Sequence, residues 1–331
     1  MMMENHDDVI EAELAQVRLK VPAIEGFILD AAVPILVRAI YRRTEHKQVT
    51  IHVQFPAGYP REPVIMEFKS KTLSDRLLDG LMKVCDEEAK RNVGQRQVIL
   101  MLNFIKKFID ENPLCVCHPE ISYIKQSLIS GDDKVILKQK NSQIVIKVFQ
   151  DSYFMNIRIS VPEDYPIAQV QTEITDTNFP ILLRTNFQAQ AIEIARQCIQ
   201  PPLKKTPKAP PFVPKPSLRP VCDYLISVCV KRYPQEICPI CKEKVLSEDP
   251  KLVNSDPKRG IERVYCGHLF HNECLDAYMK TPPFTGGKKC PGCDQRIFHD
   301  KWKIPPELAE TRWAHKQARQ RELEEVVDFL S

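Results

Sequence analysis

The sequence predicts an α+β protein that contains two copies of one helix-and-sheet unit, followed by a small cysteine-rich module and a C-terminal helix. Two observations predict this order. A strand that runs into a Tyr-Pro turn occurs twice, and closely spaced cysteine and histidine pairs occupy a short stretch after residue 237. A chain of 331 residues has room for two or three such domains.

The composition argues against several classes of protein. The 10 glycines form neither G-x-G-x-x-G nor G-x-x-x-x-G-K-[ST], so a phosphate-binding loop is not indicated. A net charge of +4 does not by itself indicate nucleic-acid or membrane binding. The N-terminal segment is acidic, and no run approaches the ~18 apolar residues of a membrane span. We therefore expect a protein of the cytoplasm or nucleus, without a membrane partner, whose 12 cysteines bind metal or pack in cores.

The repeat is clearest in two strands. In Val49–Phe55 and in Tyr153–Val161, apolar residues alternate with polar ones, which is the period of a half-buried strand. Each strand runs into a turn of the form P-x-x-Y-P, and the two tyrosines, Tyr59 and Tyr165, lie 106 residues apart. The sequence thus predicts two copies of one domain, at residues 5–112 and 113–233.

Amphipathic helices flank each set of strands. A leading helix is predicted at Val9–Leu19 in the first copy and at Ile121–Ile129 in the second. Closing helices are predicted at Leu73–Arg91, Val98–Asp110, Ala189–Ile199 and Leu218–Lys231. Residues 201–220 carry eight prolines, so this insertion in the second copy is expected to be extended.

The order of elements, with the turns FPAGYPREP and VPEDYPIAQV, resembles the RWD domain, a catalytically silent relative of ubiquitin-conjugating enzymes. The resemblance implies two RWD-like α/β sandwiches that recruit a protein substrate or an adaptor. Conjugation itself needs a thiolate nucleophile after the strands. Neither Lys69–Asp79 nor Asp176–Gln197 contains a cysteine, which argues against conjugating activity.

Eight residues within the predicted module at 235–300 have the spacing of metal ligands. Each belongs to a close pair, as tetrahedral Zn²⁺ with thiolate and imidazole ligands requires. The eight are Cys238, Cys241, Cys266, His268, His271, Cys274, Cys290 and Cys293. The sequence therefore predicts a zinc-binding module in this region.

Three cysteines, two histidines and three cysteines, in that order, resemble a RING finger of the RING-H2 type. The resemblance implies two structural Zn²⁺ ions held by interleaved sites. Cys238, Cys241, His271 and Cys274 would form one site, and Cys266, His268, Cys290 and Cys293 the other.

The same resemblance implies a RING-type ubiquitin-protein ligase. Such a protein binds a ubiquitin-conjugating enzyme charged with ubiquitin and forms no covalent intermediate, so no catalytic nucleophile is expected. Three residues match the family's contacts with the conjugating enzyme: Ile240, Tyr278 and Pro291. The domain order is similar to that of RWD–RING ubiquitin ligases, among them the Fanconi anaemia ligase, which has an additional N-terminal domain and a different ligand pattern.

One residue departs from the family's pattern. Asp294 follows the eighth ligand, where active members often carry Arg or Lys. Two hypotheses therefore stay open: a ligase, or a non-catalytic zinc-binding scaffold in a ubiquitin-pathway complex. Nucleic-acid binding is not expected, because the basic residues of Ile237–His299 are mixed with acidic ones.

The C-terminal segment 305–331 is predicted to be a helix. Apolar residues follow helical spacing at Leu323, Val326, Val327 and Leu330. We expect this helix to pack on the finger or on the second copy.

Overall fold

The computed structural model describes residues 6–202, 211–255, 260–298 and 305–330. Residues 203–210 of the proline-rich insertion lie outside this set. The chain divides into two compact units. The first comprises Met1–Val148, Asn156–Asp176 and Asn186–Leu225, and the second comprises Phe149–Met155, Thr177–Thr185 and Ile226–Ser331. The second repeat thus contributes residues to both units.

The first repeat is a four-stranded antiparallel sheet with a leading helix and two closing helices. The sheet has the order β1-β2-β3-β4, in which neighbours along the chain are also neighbours in the sheet. The elements are α1 His6–Lys20, β1 Phe27–Val33, β2 Leu36–Thr44, β3 Lys47–Gln54, β4 Ile65–Lys69, α2 Asp75–Arg91 and α3 Val98–Glu111.

The alternation in the sequence places one face of this sheet in the core. Val49, Ile51 and Val53 are fully buried, while Thr50 and His52 between them are half-buried on the other face. Apolar residues of the three helices belong to the same core cluster, among them Leu14, Leu81 and Ile105. Burial of each such side chain contributes roughly 1.5–3 kcal/mol to the free energy of unfolding.

The second repeat has the same order of elements. Its sheet has the order β5-β6-β7-β8. The elements are α4 His118–Tyr123 with a π-helical continuation at Ile124–Leu128, β5 Lys134–Lys138, β6 Gln143–Gln150, β7 Tyr153–Ser160, β8 Gln171–Thr177, α5 Ile181–Ile199, and α6 Leu218–Cys222 with a π-helical continuation at Asp223–Arg232. The mixed helix and strand content that the sequence predicts is confirmed.

Helix α5 begins eight residues before the predicted start at Ala189. Ile181 and Leu182 are exposed, so they do not extend the apolar stripe from which the start was predicted. The Thr185 hydroxyl donates a hydrogen bond of 2.9 Å to the Ile181 carbonyl. This bond gives the Thr185 hydroxyl a partner inside the helix. Threonine otherwise tends to bond to the backbone in turns, which is why the sequence does not indicate a helix here.

Helices α7, Pro250–Ser255, and α8, Asn272–Met279, precede the C-terminal helix α9, Pro306–Leu330, which lies within the predicted segment 305–331. Leu323 and Val327 are 60% and 63% exposed, so the described part of the apolar stripe covers no core. Gln320 and Lys316 interrupt the stripe one and two turns before Leu323, which reduces the apolar area on this face. The side chains of Val326 and Leu330 lie outside the described residues. Among the described helices, none is long and apolar enough to cross a membrane.

Candidate metal centre

The predicted ligands are carried by two similar turns and one hairpin. In the first turn, the amide of Cys238 donates to the Glu243 carbonyl at 2.8 Å. In the second turn, the amide of Cys290 donates to the Gln295 carbonyl, also at 2.8 Å. The residue after the second cysteine has a left-handed backbone in both, with φ of 67° at Lys242 and 58° at Asp294. Both Cys-x2-Cys segments therefore fold into the same kind of knuckle.

The remaining four ligands come from a short antiparallel hairpin and the helix that follows it. Strand β9, Ile261–Arg263, pairs with β10, Leu269–His271, and helix α8 spans Asn272–Met279. Cys266 and His268 lie in the connection between the strands, and His271 ends β10. Cys274 lies in the first turn of α8.

The fold brings these eight side chains together in two groups of four. In each group, the candidate ligand atoms all lie within 4.8 Å of one another. The groups are Cys238, Cys241, His271 and Cys274, and Cys266, His268, Cys290 and Cys293. They are the interleaved sets that the resemblance implies. The first knuckle joins the ligands at the end of β10 and the start of α8, and the second knuckle joins the two ligands between β9 and β10.

Both histidines present the same ring nitrogen to the sulfur atoms. His271 Nδ1 lies 3.3 Å from Cys241 Sγ, and His268 Nδ1 lies 3.4 Å from Cys266 Sγ. On the other side of the His271 ring, Nε2 lies 3.1 Å from the Lys244 carbonyl oxygen. A carbonyl accepts a hydrogen bond, so this contact places the proton on Nε2 and leaves the Nδ1 lone pair free for a metal ion.

The donor chemistry of the two groups fits Zn²⁺. Burial and the neighbouring sulfur of Cys241 raise the pKa of the Cys274 thiol to about 12. Burial also raises the pKa of Cys290 to about 11. Thiolates clustered in this way repel one another, and a bound zinc ion offsets their charge. Each group can bind one metal ion, which is consistent with two structural zinc ions.

The second knuckle needs glycine between Pro291 and Cys293. A Cβ atom on Gly292 would lie 2.9 Å from His268 Nε2, closer than side chains tolerate. The imidazole thus packs directly on the backbone of the knuckle. The need for glycine at this position is not apparent from ligand spacing.

Two supporting residues for the first metal group lie far away in the sequence and were not predicted. The Tyr153 hydroxyl donates to the Ser247 carbonyl at 2.8 Å, and the Ser152 hydroxyl donates to the Glu248 carbonyl at 2.5 Å. Both acceptors follow Lys244, the residue whose carbonyl contacts His271. No sequence signal links these residues, because they are more than 90 positions apart in the chain.

The three residues matched to conjugating-enzyme contacts differ in exposure. Ile240 and Tyr278 are half-buried, and Pro291 is exposed. The Tyr278 hydroxyl donates to the Lys289 carbonyl at 2.8 Å, and the Lys288 ammonium lies 4.5 Å from the centre of its ring. Lys288 is 7% exposed and also contacts the Pro282 carbonyl at 3.2 Å. The ring of Tyr278 is therefore held by the hydrogen bond of its hydroxyl and by the Lys288 ammonium over its face.

The other six cysteines belong to neither metal group. Five are buried, Cys198 is half-buried, and none forms a disulfide; the five are Cys85, Cys115, Cys117, Cys222 and Cys229. Burial raises the pKa of Cys85 to about 12, so its thiol is unreactive at neutral pH.

Comparison with known families agrees with this geometry. The family model for the zinc finger, C3HC4 type (RING finger), matches residues 238–293. The family model for the RWD domain matches residues 6–109. An RWD match is found for the first repeat only, so a second RWD domain stays a prediction. No curated protein matches the chain. The fold and the metal centre thus define an RWD plus RING architecture, a combination typical of the ubiquitin pathway.

Proposed function

We propose that the chain is a RING-type ubiquitin-protein ligase. The observation that carries the proposal is the pair of interleaved cysteine and histidine groups within the segment that matches the RING model. With all eight positions taken by protein ligands, the zinc ions are structural and leave no open position for a catalytic water. Catalysis then consists of holding a charged conjugating enzyme in a reactive pose.

Ile240, Tyr278 and Pro291 form the proposed contact with the conjugating enzyme. Ile240 lies inside the first knuckle and Pro291 inside the second, so zinc binding orders both. Tyr278 is held by Lys288 and by the Lys289 carbonyl, next to the second knuckle. Apolar and aromatic side chains fixed in this way lose little conformational entropy on binding.

The two repeats are proposed to be RWD-like domains that bind substrate or an adaptor. The second assignment is supported by a polar network that recurs. In the first repeat, the Tyr59 hydroxyl donates to Glu13, which also accepts from the Val98 amide at 2.7 Å. In the second repeat, Tyr165 donates to Glu120 at 2.5 Å, and Glu120 accepts from the Arg219 amide at 2.9 Å.

We place the protein in the cytoplasm or nucleus, where its thiols stay reduced.

An autoubiquitination assay against a panel of conjugating enzymes tests this proposal. We expect chains with at least one enzyme, and loss of most activity in Ile240→Ala. Ile237→Ala is the matched control, because Ile237 is 53% exposed and lies just before the first ligand. Absence of chains with every enzyme would overturn the ligase assignment, and full activity of Ile240→Ala would overturn the contact.

A non-catalytic scaffold is the second candidate, and Asp294 is the observation that favours it. Asp294 places a carboxylate, paired with Lys289 at 2.9 Å, where active family members often carry a cation. A conjugating enzyme that binds the full-length protein without transferring ubiquitin would support the scaffold over the ligase.

A further inference from the structure

Three exposed lysines lie on one face of the second repeat. In the register of β5 and β6, Lys134 lies directly opposite Lys147, Ile136 opposite Val145, and Lys138 opposite Gln143. The residues that alternate with these on β6 are buried in the core, so the six point to the outer face of the sheet. Among the described residues, none of the three lysines has an ion-pair or hydrogen-bond partner for its ammonium group.

The opposed lysines work against the stability of the sheet. Like charges directly opposite each other on neighbouring strands repel and destabilise the pair. Lysine on an edge strand protects against strand-to-strand aggregation, which accounts for Lys134 and Lys138 on β5. It does not account for Lys147, because β6 is an inner strand.

The first repeat provides a contrast at the corresponding two strands. There the outward-facing arginines of β2 have partners: Arg38 pairs with Asp30 on β1 at 3.1 Å, and Arg42 donates a hydrogen bond to Gln48 at 3.0 Å. Lysines without a hydrogen-bond or ion-pair partner on this face therefore distinguish the second repeat from the first among the described residues. A positive face that is kept at a cost in stability indicates an acidic ligand.

The edge position of β5 specifies the shape of that ligand. Within the described part of the chain, β5 pairs with β6 alone, so every second backbone amide and carbonyl of β5 faces away from the sheet. A segment that pairs with β5 would place every second side chain on the outer face. In such a segment, acidic residues opposite Lys134 and Lys138 would form ion pairs, and an aliphatic residue opposite Ile136 would form an apolar contact.

We propose that the second repeat binds an extended acidic segment of a partner protein, of the form acid-x-aliphatic-x-acid, as an added strand on β5. This site rests on the proposed function in that the repeats are taken to recruit a partner protein, whose chemistry it specifies. Its test requires no ubiquitin transfer, so failure of the ligase assignment and failure of this site give separable results.

Fluorescence anisotropy of a labelled peptide, Gly-Ser-Glu-Thr-Val-Thr-Glu-Ser-Gly, with the zinc-loaded full-length protein tests the site. We expect saturable binding that weakens as salt rises. Lys147→Glu should lower the affinity about tenfold, since it removes one attraction and adds one repulsion. The matched control is Lys83→Glu, which makes the same charge change at an exposed lysine on α2. A peptide with Gln in place of Glu, and one with N-methylated amides, should both fail to bind.

Thermal unfolding of Lys147→Glu provides an independent readout. The substitution places opposite charges across from each other at Lys134 and residue 147, so Tm should equal or exceed that of the wild type. Loss of peptide binding with an unchanged or raised Tm would support a docking face. Equal binding by wild type and Lys147→Glu, or binding of single-stranded RNA with none of the peptide, would overturn the proposal.

Discussion

The Tyr165 hydroxyl donates a hydrogen bond of 2.5 Å to the Glu120 carboxylate, as Tyr59 does to Glu13 in the first repeat. Each carboxylate is largely buried, and its pKa is raised because burial disfavours the charged form. Each also accepts a backbone amide at the start of a closing helix. The Tyr-Pro turn, the leading helix and the closing helix are therefore joined through one carboxylate in each repeat.

Removal of either tyrosine hydroxyl should destabilise its repeat. Tyr59→Phe removes the donor to one oxygen of the Glu13 carboxylate and the acceptor of the buried Gln97 amide. Tyr165→Phe likewise removes the donor to one oxygen of Glu120 and the acceptor of the buried Leu218 amide. We expect each to lower the free energy of unfolding by about 2–3 kcal/mol, measured by urea denaturation. Tyr265→Phe is the control, because Tyr265 is exposed, and a Tyr59→Phe cost no larger than this control would contradict the prediction.

The buried carboxylate of Glu13 should also leave a signature in the pH dependence of stability. Its folded pKa is raised above the usual 4.5, so between pH 4.5 and the raised value the folded protein retains a proton that the unfolded chain has released. The free energy of unfolding therefore falls as pH rises through this window. Glu13→Gln cannot titrate and lacks this decline.

The measurement compares Glu13→Gln with wild type by urea denaturation from pH 4.5 to 8. We expect the variant to gain stability relative to wild type as pH rises and then to level off. Zinc ligands titrate in the same way in both proteins, so their contribution cancels in the difference. A difference that stays constant over the whole range would show that burial does not perturb this carboxyl.

Substitution of one ligand should remove one zinc ion and leave the other bound. Cys266→Ser breaks the second group, so the zinc content should fall from two ions to one per chain. A chelating dye that reports zinc after thiol modification measures this content. Loss of a structural site removes about 10–16 kcal/mol of apparent binding energy, so the finger should also become protease-sensitive. Cys85→Ser, at a buried thiol in the first repeat, should retain two ions.

The ligand groups could be predicted from the sequence because their signal is local. All eight ligands lie within pairs separated by one or two residues, and the chemistry of sulfur and imidazole restricts what such pairs can do. The support from Tyr153 and Ser152 could not be predicted, since a strand residue and a loop 94 positions later share no pattern. The same holds for Gly292, whose need arises only where His268 packs on it.

The repeat was predicted from strand alternation, but its charge distribution was not. Lys134 and Lys147 are 13 residues apart, and only the register of β5 and β6 makes them neighbours. The packing of α9 stays a prediction, and the exposure of Leu323 and Val327 does not support it. Helical spacing indicates which side chains share a face and not whether anything covers that face.

Truncation of the exposed stripe on α9 should have little effect on stability. Leu323→Ala combined with Val327→Ala removes side chains that remain mostly in water, so we expect a change below about 0.5 kcal/mol. Ile105→Ala, in the core of the first repeat, should cost about 2–5 kcal/mol. Urea denaturation of both variants checks the contrast. A cost above about 1 kcal/mol for the α9 variant would show that this helix packs on the protein.

Under the proposed ligase function, Asp294→Arg should raise the rate of ubiquitin transfer. Asp294 is exposed and its pair with Lys289 is a surface contact, so its removal costs at most about 1 kcal/mol. Its left-handed backbone, with φ of 58°, adds roughly 1–2 kcal/mol for an arginine, which the fold can tolerate. An arginine here supplies the cation that active RING ligases often carry. It also frees the Lys289 ammonium, so two positive charges replace a neutral ion pair.

Discharge of ubiquitin from a charged conjugating enzyme to free lysine measures this effect directly. We expect Asp294→Arg to accelerate discharge severalfold, corresponding to about 1 kcal/mol of added transition-state stabilisation. Asp294→Asn is the matched control, since asparagine accepts the left-handed backbone and removes the negative charge without adding a positive one. A rate for Asp294→Asn midway between wild type and Asp294→Arg would assign the effect to charge. Equal rates for all three proteins would mean that position 294 does not contact the charged enzyme, and that Asp294 gives no support to the scaffold alternative.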